Sequence, residues 1–88
     1  MPEISRFYGI IIYMYINDHN PPHFHARYNE NEATFSITDF ALIKGKLPPK
    51  ALGLVVEWAS LHNIELLENW KNLVENDSKS FNKIEPLN

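Results

Sequence analysis

The hydrophobic pattern changes period once, near Leu47, and this change limits the possible folds more than any other feature. Before it, apolar and polar residues alternate, the two-residue period of a strand with one buried face. After it, apolar residues recur every three or four positions, as on one face of a helix. Strands followed by helices give an α+β fold, with helices gathered on one face of an antiparallel sheet.

The stretch "GIIIYMYI", residues 9–16, is β-branched and aromatic almost throughout. "HFHARY" (His23–Tyr28) and "EATFSI" (residues 32–37) alternate, and "FALIK" (residues 40–44) follows a short "TD" turn. Short links between these runs predict an antiparallel meander of three to four strands. Downstream, "LPPKALGLVVEWASLH" opens with prolines, which suit a first helical turn because its N–H groups have no partner there. Ala51, Val55, Trp58 and His62 then share a face, and "IELLENWKNLVEN" resumes with Leu66, Trp70, Leu73 and Val74. The spacing predicts helices at 48–62 and 64–76, either separate or as one kinked helix at Asn63. In the polar tail, Phe81, Ile84 and Leu87 are the docking points. With 88 residues, 44% of them apolar, the chain makes one domain, 1–88, around one core.

Register determines which residues share a face. Pairing Tyr15 with His23, Tyr13 with His25, Met14 with Phe24 and Ile12 with Ala26 matches apolar with apolar; the alternative sets Arg27 against Ile12 and buries its charge. An unpaired buried polar group costs about 1–3 kcal/mol, so the first register wins. The same test pairs Phe24 with Ile37, Ala26 with Phe35 and Tyr28 with Ala33 in the next hairpin. The helix-facing side then carries Ile10, Ile12, Met14, Phe24, Ala26, Tyr28, Ala33, Phe35 and Ile37. The open side carries Tyr13, Tyr15, His23, His25, Arg27, Thr34, Ser36 and Thr38.

Three of the four histidines fall within "NDHNPPHFHARY", residues 17–28, around a Pro-Pro pair. Pro21 and Pro22 stiffen the loop and aim His23 into its strand, with Asp18 and His19 close by. At these residues the chain resembles a family of small bacterial proteins, the domain of unknown function DUF4160. The stretches that carry the resemblance are "ISRFYGIIIYMYINDHNPPHFHARY", "LPPKAL", "EWASLHNIELLENW" and "KIEPL", with "NPPHFHA" the most specific. The second turn departs from the family, reading "YNENEA" where glycines are common. The resemblance implies a gene similar to members of toxin–antitoxin pairs and a small partner protein such as a DUF2442-like domain. It carries over no catalytic residues.

Three functions fit the open face. The first is a protein-interaction module, in which Tyr13, Tyr15, Asp18, His19 and Arg27 bind a small partner protein or a second copy. This is the leading expectation, and it requires no cofactor. The second is an RNA- or DNA-binding protein, or a metal-independent endoribonuclease. There His23 and His25 would act as acid and base, Arg27 would grip phosphate, and the tyrosines would stack on bases. The third is a site for zinc or another divalent transition metal, held by His23 and His25 with Asp18 or His19 as third ligand.

His62, Trp58 and Trp70 read as packing residues, and Lys44, Lys46 and Lys50 as a solvated loop. The net charge of −3 excludes a global polyanion-binding surface, although residues 1–50 balance five basic against five acidic side chains. No cysteine, no basic leader and no apolar run long enough to cross a bilayer occur, so a cytoplasmic protein away from membranes is expected. No P-loop, dinucleotide glycine fingerprint, nucleophile elbow or zinc-finger spacing is present.

Overall fold

The computed structural model describes residues 2–16, 18–75 and 80–88. Asn17 and the predicted helix end at residue 76 lie outside them. Five strands form one antiparallel sheet in sequence order: β1 Glu3–Phe7, β2 Ile10–Tyr13, β3 His23–Tyr28, β4 Asn31–Ser36 and β5 Leu42–Gly45. Two helices follow, α1 Pro49–Leu61 and α2 Asn63–Trp70, and a π-helical turn, Lys71–Glu75, extends the second.

The meander is one strand longer than the sequence predicts. β1 escapes periodicity because a bulge between Glu3 and Ser5 shifts its register, so that Ile4 and Phe7, three apart, both reach the core. It joins β2 through Tyr8 and Gly9, with φ of 48° and 81°. Two successive left-handed residues make the tight turn whose twist matches the strands. β2 ends at Tyr13, earlier than predicted, and the Met14 N–H donates to the Pro2 carbonyl.

The predicted β2–β3 register holds where the two strands pair, with Tyr13 opposite His25 and Ile12 opposite Ala26. The β3–β4 register is corrected by two residues: Phe24 pairs with Phe35, Ala26 with Ala33 and His25 with Thr34. The cause is the turn. Asn29 adopts φ 55°, which asparagine tolerates, so two residues close a hairpin that the predicted pairing would have closed with four. A two-residue slip preserves side-chain parity, but the face expected to be open is partly closed: Tyr13, His23 and Ser36 are buried, and His23 packs against Trp70 of the second helix. β5 begins two residues later than predicted and ends at Gly45, whose φ is 77°. A Cβ there would lie 2.1 Å from the Glu32 carbonyl oxygen.

The helices cover one sheet face through Ala51, Val55, Trp58, Ala59, Leu66 and Trp70, all buried. Trp58 packs against Phe7 and Phe24, with ring centroids 5.4 and 6.1 Å away, and its indole N–H donates to the Glu85 carbonyl. The helices are separate, broken at His62 (φ −124°). The Asn63 amide ties this break to the sheet by donating to the Ile37 carbonyl at 2.6 Å. His62 packs on Trp58 and donates to Glu65, the packing role expected of it. Asn69, buried in α2, clamps the tail by donating to the Asn82 carbonyl and accepting from its N–H, both at 2.8 Å. Ile84 is buried, and Phe81 and Leu87 pack at the edge of the core. No helix among the described residues is long and apolar enough to cross a membrane.

Candidate functional site

Alternation along β3 sends Phe24 and Ala26 into the core and raises His23 and His25 on the open face. The preceding loop folds back over them. Its Asn20–Pro21 peptide is cis, and Asp18 comes to rest beside both imidazoles. The Asp18 Oδ2 atom lies 2.8 Å from His23 Nε2 and 3.5 Å from His25 Nε2. All three donor atoms fall within 4.8 Å of one another. The side chains are only 13%, 10% and 17% exposed, for Asp18, His23 and His25 respectively.

The other nitrogen of each ring is held from behind. His23 Nδ1–H donates to the Pro21 carbonyl at 2.7 Å, and His25 Nδ1 lies 3.2 Å from the Thr34 hydroxyl. His23 therefore faces an acceptor at both ring nitrogens. His25 Nε2 is buried with no hydrogen-bond partner. Aromatic rings fix both imidazoles in place: Tyr13 stacks on His25 at 5.1 Å, Tyr15 meets it edge-on at 4.8 Å, and Trp70 packs against His23 at 5.0 Å. The Tyr13 hydroxyl donates to the Glu32 carboxylate.

These contacts also set the charges. Burial pushes His25 towards its neutral form; Asp18 opposes this and His23 reinforces it. Burial opposes the charge on Asp18 too, but the His19 N–H and the His23 imidazole together hold its carboxyl below the usual range. The Tyr13 hydroxyl is pushed well above the usual tyrosine range, by burial first and the Glu32 carboxylate second.

Of the residues singled out by sequence, the fold gathers Tyr13, Tyr15, Asp18, His23 and His25. His19 points outward, its side chain 93% exposed, and touches Asp18 through its N–H and, at 3.4 Å, through Nδ1. Arg27 sits one rung along β3, paired with Ile11 and Glu32, outside the carboxylate–imidazole cluster. Sequence reasoning gave no role to Thr34, Glu32 or the Pro21 carbonyl. The register slip hid the first, since the predicted pairing put Ser36, not Thr34, opposite His25. A cleft of about 310 Å³ opens beside the cluster, rimmed by Tyr15, Ile43 and Lys44.

Two imidazole nitrogens and one carboxylate oxygen form a metal-type donor set. Ligands bound at ~2.0–2.2 Å sit about 3.0–3.5 Å apart around one ion, and the 2.8 and 3.5 Å separations here are close to that. Neither the curated proteins nor the solved structures offer a match to this chain. The profile described as "Domain of unknown function (DUF4160)" matches residues 9–71, more than two thirds of the sequence including the whole His/Asp cluster, and the chain belongs to that family.

Proposed function

We propose that this domain binds a divalent transition metal ion through His23 Nε2, His25 Nε2 and the Asp18 carboxylate, with open coordination positions facing the cleft. One observation carries the reading: His25 Nε2, buried without a hydrogen bond, and His23 Nε2 lie 3.5 and 2.8 Å from the same Asp18 oxygen. With each ring's N–H on Nδ1, directed at the Pro21 carbonyl and the Thr34 hydroxyl, both Nε2 lone pairs are free for one cation beside the Asp18 carboxylate. The pinned Nδ1 atoms support this reading, because metal-bound histidines characteristically hold the second ring nitrogen to an oxygen. Nitrogen donors with one carboxylate suit zinc or a neighbouring first-row ion. Such an ion supplies Lewis acidity, while the chain's own residues position and desolvate whatever enters the cleft.

Elemental analysis of tag-free protein purified without chelator tests the reading. About one equivalent of metal per chain is expected, lost in His25→Ala. Metal-free protein that takes up no ion on titration with zinc overturns it.

A second reading, docking of a small protein partner on the open face, draws support from the rim, where Tyr15 is 43% and Ile43 48% exposed. Under it, Ile43→Ala weakens association by about 1–2 kcal/mol and leaves metal content unchanged.

A further inference from the structure

We infer that the cleft takes an oxyanion, a phosphoryl or carboxylate group, bridging the bound metal and the Lys44 ammonium. The inference rests on the metal reading and specifies its ligand. Lys44 pairs with Thr34 and Thr34 with His25, so the three share the open face in one cross-strand row. Two strand spacings put the Lys44 and His25 backbones roughly 10 Å apart. A lysine's four-carbon stem can lean over Thr34 and bring its charge above the gap. Lys44 lines the same cleft as Asp18, His23 and His25, and has no acidic partner among the described residues.

The charges favour an anion. A divalent ion overcompensates the single Asp18 carboxylate, and Lys44 adds a second positive charge on the far wall. Glu32, the other acid nearby, accepts from the Tyr13 hydroxyl, and its carboxylate offsets one positive charge while leaving the site net positive. One oxygen of the anion then completes the metal's coordination and another accepts from Lys44, a charge-assisted contact in a partly enclosed setting. Exposed Tyr15 and Ile43 flank the opening, so the anion's organic body meets an aromatic ring and an aliphatic side chain there.

The test uses cobalt(II) in place of zinc, so that its visible bands report ligand exchange. Wild type and Lys44→Gln should each bind about one equivalent of cobalt. Inorganic phosphate, or acetate in a parallel arm, should alter the wild-type bands; the arm with tighter binding identifies the oxyanion. Lys44→Gln should weaken that binding about tenfold, the scale of one charge-assisted hydrogen bond. Cobalt uptake with no spectral response to either anion overturns the inference and leaves the metal reading standing. Unchanged anion affinity in Lys44→Gln does the same. Absence of cobalt uptake overturns both.

Discussion

Replacing Asp18 with asparagine isolates the contact that closes the loop over the sheet. The amide oxygen keeps the His19 N–H at 2.9 Å, so the local turn survives. What disappears is the negative charge facing His23 Nε2 at 2.8 Å and His25 Nε2 at 3.5 Å. With Asp18 13% and His23 10% exposed, solvent screens that charge weakly. A hydrogen bond to a charged group contributes roughly 1.5–3 kcal/mol, against about 0.5–1.5 for the neutral one an amide can make. The expected loss is therefore about 1–1.5 kcal/mol in metal-free protein. For a domain of this size that is a fall in Tm of about 4–12 °C. The pH dependence has a definite sign. The folded Asp18 carboxyl is held below its ordinary 3.8, so its contribution is complete above that pH and is lost as pH falls through the lowered folded value. Thermal unfolding followed by circular dichroism in chelator should show the gap at neutral pH, widening as His25 protonates and closing only below 3.8. Equal melting at neutral pH, or a gap that persists in strong acid, would refute the argument that the carboxylate holds the loop.

His25 adds a separate, higher window: because burial lowers its folded value below 6.5, stability declines as pH falls from 6.5 towards that value, and metal-free His25→Gln should flatten this part of the profile. Gly45→Ala should destabilise by about 2 kcal/mol or more, since both φ and the Glu32 carbonyl oppose a Cβ, and hydrogen exchange should show β5 loosening first. Asn69→Ala removes both bonds to Asn82 from a buried site, costing about 2 kcal/mol and speeding exchange of the Ile84 amide that bonds to Ile4. In an absorbance titration of the four tyrosines, Tyr13 should ionise last, and Glu32→Gln should bring it closer to the others.

The sequence made the layer order legible because one hydrophobic face per element is enough to separate sheet from helix. Parity was legible for the same reason: every position assigned to the helix-facing side is buried or partly buried. Absolute register was not, because Phe24 finds an apolar partner in either Phe35 or Ile37 and only the Asn29 turn decides between them. β1 was illegible because its bulge breaks the two-residue period on which strand recognition depends. At the site, the types and positions of His23 and His25 pointed to the right face. Their convergence on Asp18 depends on how the Pro21–Pro22 loop folds back, and no local periodicity encodes that.

The two margins of the sheet are finished differently. Along β1 runs the tail: the Ile84 N–H bonds to the Ile4 carbonyl, Lys83 approaches Glu3 at 3.8 Å, and Pro86 follows with no N–H to offer. β5 has no such cover among the described residues, and its Leu42 and Ile43 are 45% and 48% exposed. Sheet-to-sheet growth into a fibre needs two free margins on every molecule, one to receive and one to offer. With β1 flanked by the tail, strand-to-strand joining through β5 is expected to give a closed pair rather than a growing fibre.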